Sequence, residues 1–448
     1  GVQQSLGPKA VRPVLYTSHF LCSWCERMWQ YSIVVFLSDI TSGLVLVSSY
    51  GLFLCLAAVG ASPTIGRWID ALSRLRALRI ISAVRNAAIA LGALTAYTLM
   101  GCGKDGQMCS PTLFLVLLVS MHVVGATASL GSRAQVIALE ADWVVVLSHG
   151  ASPWLTETNA TMRRIDLSCD LLAPAAVGLL VTAGSAQVAA LTLAACNMLS
   201  VGVELASMAW LHATEPALAT KPQQQQQLEK NPFAASLSSA SSSTANCVSS
   251  LRLYLRQPVA GAALALMLLH LTVLSFGPVM IAYLRLSGES DAVVGGARSA
   301  CAAFGFAGTL LLPWLAARVG LETAGMLSVW LQFICLAAGA LELALPPTGG
   351  GAVAGTRALI VGVVASRSGL WGFDLAVTQL IQERVPEAER GVFNGTQKAL
   401  EAVMETLSYV AALVFHRPEQ FRSLVAMSCG SVGTAAILFS AHRAAARR

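Results

Sequence analysis

Between Ser18 and Leu37 the chain reads SHFLCSWCERMWQYSIVVFL, which places cation-binding side chains in a segment long enough to cross a bilayer. His19, Cys22, Glu26 and Gln30 follow at steps of three, four and four, so a helix carries all of them on one face. An imidazole, a thiol, a carboxylate and an amide so arranged could ligate a metal or hold a proton. A charge at mid-membrane costs about 2.5–3.5 kcal/mol or more, so this face is expected to look into a cavity, with Trp29 in its wall. Other apolar segments also carry polar groups: Arg85 and Asn86, Asn197 and Glu204 seven apart, Arg367 and Asp374, and Lys398 with Glu401 and Glu405. Two arrangements fit them. In one, Glu26, Asn86, Asn197 and Glu204 converge oxygens on a hard cation, and His19 and Cys22 add softer donors for a transition metal. In the other, Arg85 pairs with Glu26 or Glu204 and the set is a buried structural network.

The elements that must position these groups are apolar helices. The 448 residues are 55% hydrophobic and 12% charged, against roughly 25% charged in soluble proteins. Runs of about 20 apolar residues recur twelve times, near 14–37, 44–65, 77–100, 111–131, 165–183, 186–211, 258–284, 292–316, 321–344, 358–381, 392–415 and 421–441. Backbone amides in hydrocarbon must be satisfied within each segment, so an all-α integral membrane protein of twelve transmembrane helices is expected. The net charge of +6 does not read as nucleic-acid binding, because most Lys and Arg fall in the tails and alternate loops. By the positive-inside rule that pattern puts both termini in the cytoplasm. Most of the eleven cysteines lie in apolar segments, as small packing residues do. Cys102 and Cys109 share an outer loop and could form a disulfide on an oxidising side. The chain begins at Gly1, so an upstream targeting segment could precede it, and the plasma membrane is expected rather than an organelle.

Residues 212–256 contain KPQQQQQLEKN and SLSSASSSTAN, a low-complexity linker between six-helix halves at 14–211 and 257–441. Six plus six is the layout of the major facilitator superfamily, in which cargo sits near the midplane between rocking halves. The loop GRWIDALSRLR fits that superfamily's gate pattern, with Gly66, Asp70 and Arg74 at steps of four. ADWVVVLSHG, within 132–164, is expected to be a short interfacial helix. The sequon at Asn159 faces the cytoplasm on this topology, which argues against glycosylation, and Arg163, Arg164 and Asp166 read as gate partners. Phe276-Gly277-Pro278 should kink or break the seventh span. The sequence has no G-x-S-x-G, P-loop or H-E-x-x-H, and His122, His149, His212, His270, His416 and His442 look isolated, so neither an enzyme nor a cofactor is expected.

WCERMWQ, ADWVVVL, NATMRRID, LAPAAVG, RQPV, SRSGLWGFDLAVTQLIQE and EAERGVFNG together resemble the ferroportin family, solute carrier family 40, in order from about residue 18 to 441. The resemblance implies a major-facilitator fold that exports divalent iron, in exchange for protons. It places one metal site at Glu26 and Gln30, where the family has aspartate and histidine. A second falls at Pro278 and Ser408, where it has cysteine and histidine, with Gly277 beside it in the cavity wall and Glu405 as a spare carboxylate. A family calcium site would draw on Glu26, Arg85, Asn86, Asn197 and Glu204, with Arg85 replacing a neutral amide. The gate positions Asp70, Arg74, Asp142, Asn159, Arg163 and Arg390 match the family, whereas the missing cysteine implies no response to hepcidin. The expected function is therefore export of a divalent metal, iron(II) foremost. The same fold carrying an organic cation or metal chelate, or a non-transporting regulatory relative, are the alternatives.

Overall fold

The computed structural model describes residues 8–40, 45–103, 106–220, 243–275, 280, 283–284, 287, 289, 291–344, 351–415 and 420–446. Gly277 and Pro278 lie outside them, as do residues 221–242 of the low-complexity linker. The described residues contain helices and no strand. In chain order the helices are α1 (Pro8–Ile40), α2 (Val45–Ala71), α3 (Arg74–Gly101), α4 (Pro111–Gln135), α5 (Val144–Leu147), α6 (Ser152–Ala183) and α7 (Ala186–Thr214). There follow α8 (Ser243–Arg256), α9 (Ala260–Leu268), α10 (Asp291–Val319), α11 (Leu321–Ala344), α12 (Gly351–Arg384), α13 (Arg390–Val414) and α14 (Phe421–Ala446).

Local chemistry sets several of these ends. The Ser110 hydroxyl accepts from the Leu113 amide at 3.3 Å ahead of Pro111, and the Ser185 hydroxyl accepts from Val188 at 3.2 Å. Each satisfies an amide that the first turn would otherwise leave unpaired. Among the described residues nine helices are long and apolar enough to cross a membrane. The first, seventh and eleventh expected spans are not among the nine. α1 carries His19, Glu26, Arg27 and Gln30, α13 carries Lys398, Glu401 and Glu405, and α9 has only 9 residues.

One local expectation is corrected. ADWVVVL is not a separate interfacial helix: α4 continues through a π-helical turn, Val136–Trp143, straight into α5. Ile137, Leu139 and Trp143 are buried along that turn, so packing holds the run together. α9 stops at Leu268 and residues 271–275 are not helical, while Phe276, Gly277 and Pro278, where the sequence predicts a kink or break, lie outside the described residues.

The chain divides into two compact units. Unit 1 is Gly1–Ala151, Ser168–Tyr254 and Pro386–Ala399, and unit 2 is Ser152–Leu167, Leu255–Val385 and Leu400–Arg448. Unit 1 has a core of Trp29, Ile33, Phe36, Ile89, Met121 and Leu193, among others. In unit 2, α11 and α12 approach at small residues, as helices in a bilayer do. A Cβ on Gly362 would lie 2.6 Å from the Cys335 carbonyl oxygen, which only glycine avoids. Large apolar side chains such as Leu115, Val116, Val119 and Val123 of α4 point outward, a surface that lipid covers.

Candidate metal site and gating network

In unit 1 the predicted polar residues fall into two groups. The first lies on α1, where Gln30 Nε2 donates to Glu26 Oε1 at 2.8 Å and Arg27 donates to Gln30 Oε1 at 2.9 Å. The i,i+4 spacing brings amide and carboxylate together on the helix surface, so Glu26 is partly buried while Gln30 is exposed. The second group is wholly buried. Arg85 Nη2 donates to both Glu204 oxygens at 3.0 Å, and Nη1 donates to Cys22 Sγ. Of the two partners the sequence allowed, the ion pair is therefore with Glu204. Asn86 Nδ2 donates to the Ser82 carbonyl at 2.9 Å and lies 3.4 Å from Glu204 Oε2. Ser200 links Asn86 to Cys25, while Asn197 Nδ2 donates to the Leu193 carbonyl at 2.9 Å and its Oδ1 is buried without a hydrogen bond.

Small residues make room for this cluster. A Cβ on Gly131 would sit 2.8 Å from the Arg85 Cβ, and one on Gly92 would sit 2.6 Å from the Trp29 ring. Trp29 itself is buried in the core of unit 1. His19 is buried and turned to Glu140 of the π-helical turn, their ligand atoms within 4.8 Å.

The unit 1 residues that the sequence suggests for a gate form a charge network. Arg74, 3% exposed, donates from Nε to Asp142 Oδ2 at 2.9 Å and also to Glu387, and Arg390 lies 3.8 Å from Asp142. Asp70 accepts the Gly391 and Val392 amides at 3.0 and 2.9 Å, so its carboxylate sits at the N-terminus of α13. Two charge-assisted bonds and the helix dipole act together there. Gly66 and Gly391 allow the approach, because a Cβ on either would strike the other's carbonyl.

In unit 2, Arg163 donates to Asp374 at 2.7 Å and lies over the Trp371 ring at 4.9 Å. Asn159 Nδ2 donates to Gln382 Oε1 at 2.6 Å and Thr156 to Gln379 Oε1 at 2.7 Å. Asn159 is thus buried in a side-chain pair. Arg367 donates to the Leu274 carbonyl, the Ser428 hydroxyl accepts from Val273, and Ser431 donates to Leu268. These side chains satisfy the backbone freed where α9 ends. Ser408 Oγ donates to the Glu405 carbonyl at 2.8 Å.

Sequence reasoning missed Glu387, Gln379 and Gln382. The two glutamines stand in a mostly apolar stretch, LAVTQLIQ, which is their signal; Glu387 lies outside it. His270 and His149 are not isolated: the first faces Glu401 at 3.7 Å and the second Glu215 at 3.3 Å.

Apolar helices with buried ion pairs and a charged network make this an all-helical multi-pass membrane protein with a fold of the major facilitator type. The transporter FucP of that superfamily matches with a TM-score of 0.64 at 12% identity, covering 96% of this chain and 98% of that one. The Ferroportin1 (FPN1) family model matches residues 9–432, and the chain belongs to the ferroportin family. Solute carrier family 40 member 1 of Oryza sativa subsp. japonica is 34% identical, covering 96% of this chain and 90% of the relative. A bacterial homologue of the iron transporter ferroportin, in an outward-facing state with soaked iron, has a TM-score of 0.82 at 23% identity, covering 96% and 99% of the two chains.

Proposed function

We propose that this chain exports divalent metal ions, iron(II) foremost, by alternating access of two six-helix halves, 14–211 and 257–441, with proton exchange. Membership of the ferroportin family supports metal transport, and the observation carrying the site is Glu26, a partly buried carboxylate held by Gln30 on the first helix. A carboxylate must lose its proton before it ligates a metal, so one side chain alternating between the two couples their movements. Glu204 is occupied by Arg85, which leaves Glu26 as the anionic ligand of the unit 1 cluster. Asp70, Arg74, Asp142, Asn159, Arg163 and Arg390 form the contacts that a transport cycle breaks and remakes. The membrane is the plasma membrane, both termini are cytoplasmic, and hepcidin has no effect.

Proteoliposomes loaded with a metal-quenched dye test this. Iron(II) should quench the dye with the native chain and not with Glu26→Ala. Absence of flux for iron, cobalt, nickel and manganese would overturn the proposal.

A further inference from the structure

Cys102 and Cys109 bracket the turn between α3 and α4 in unit 1, and neither the Glu26 site nor the charge network uses them. Cys102 ends α3, its amide donating to the Leu99 carbonyl at 3.0 Å, and is 7% exposed. Cys109 stands just before Ser110, the residue that caps α4, and is half-buried. Both are free thiols. Gly103 and Gly106, each at a φ of 74°, turn the chain back in a conformation that glycine adopts at little cost. The Met108 amide donates to the Cys102 carbonyl at 2.8 Å and the Cys109 amide to the Gly106 carbonyl at 3.2 Å, so the chain comes back to Cys102 one residue before Cys109. The Met108 side chain folds over Gly103, where a Cβ would lie 3.1 Å from its sulfur. The two thiols interact directly, and Cys102 holds the Cys109 thiol above its ordinary pKa. A disulfide requires Cα atoms about 4.4–6.8 Å apart and side chains turned toward each other, the arrangement that a turn closed in this way favours.

We propose that Cys102 and Cys109 are an oxidation site, a thiol pair that a small-molecule disulfide converts to an intramolecular disulfide tying the end of α3 to the start of α4. The more open Cys109 attacks as thiolate one sulfur of the oxidant RS–SR, forming a mixed disulfide and releasing RS⁻. The Cys102 thiolate then attacks the Cys109 sulfur and displaces the second RS⁻. Both thiol protons end on the two RSH formed, so two cysteines are oxidised as one RS–SR is reduced. Such an oxidant is found on the outer side of the membrane, and the site's oxidation in the cell rests on the topology proposed above, which puts this turn there. The bond joins the two helices that flank the buried cluster, α3 carrying Arg85 and α4 carrying the Gly131 that packs on it.

The test treats the purified full chain in detergent with oxidised glutathione, alkylates the remaining thiols and digests with trypsin, which cuts after Lys104 between the two cysteines. The peptide ending at Lys104 and the one beginning at Asp105 should run as one species, lighter by two hydrogens than the sum of the free peptides and separated by reductant. Its formation should quicken as pH rises, because the thiolate is the reacting form. Cys102→Ser should trap a glutathionyl group on Cys109, whereas Cys109→Ser should take up much less at the buried Cys102. Free thiols at both positions after exchange, a stable glutathionyl group on Cys109 of the native chain, or a link from Cys109 to another cysteine would each overturn the pair. Alkylating intact cells before lysis tests the topology separately. A linked peptide from those cells supports both readings. Free thiols in cells combined with a linked peptide in detergent retain the pair and refute the placement of both termini in the cytoplasm.

Discussion

Removing either member of the Arg85–Glu204 pair should be far more damaging than removing both. Each side chain is wholly buried, and the guanidinium meets both carboxylate oxygens at 3.0 Å. In Arg85→Met the carboxylate keeps only neutral partners, Asn86 at 3.4 Å and the Ser82 hydroxyl, and must take up a proton or stay charged in a dry interior. Loss of one partner of a buried pair costs about 3–5 kcal/mol, whereas replacing both by apolar groups is often neutral. Glu204→Met should cost a similar amount, because it strands the guanidinium with Cys22 Sγ as its remaining partner among these groups. The double variant should recover at least about half of the summed loss, a coupling of about 3 kcal/mol or more. Denaturant titration in mixed micelles, read by tryptophan fluorescence, gives the four stabilities. Single variants within about 1 kcal/mol of native, or a double variant equal to the sum of the singles, would refute the account.

Arg85→Gln should release Glu204, Asn86 and Asn197 for an incoming ion, so calorimetry is expected to show a divalent-cation equivalent that the native chain lacks. Gly66→Ala should collide with the Gly391 carbonyl and lower the thermal midpoint, while Gly178→Ala, with open space around it, should not. Asp70→Asn keeps the volume but only one good acceptor for the Gly391 and Val392 amides; the loss should be about 1.5–3 kcal/mol. Amide exchange at the start of α13 should quicken accordingly.

The apolar runs made most of the fold legible. The expected span at 77–100 is α3, Arg74–Gly101, and that at 321–344 is α11, Leu321–Ala344. Run length and helical period suffice there because the bilayer fixes both. Arg85 shows where that reasoning stops. Glu26 and Glu204 were equally good partners by type and depth, and the choice fell to the packing of α3 against α7. His270 looked solitary because no acid stands within two turns of it in sequence, and its neighbour Glu401 comes from a helix far along the chain. The π-helical turn at Val136–Trp143 leaves no composition signal, since ALEADW suits an ordinary helix as well.

Unit 1 takes its last segment, Pro386–Ala399, from deep in the second half of the chain, and that has a consequence for synthesis. Asp70 waits 321 residues for the Gly391 amide that it accepts. At ribosomal rates this is about 15–65 s, during which a carboxylate and the buried Arg74 beside it stand without their final partners. The unit whose helices enter the membrane first is thus among the last to be complete, and a chain cut anywhere before Pro386 leaves it unfinished.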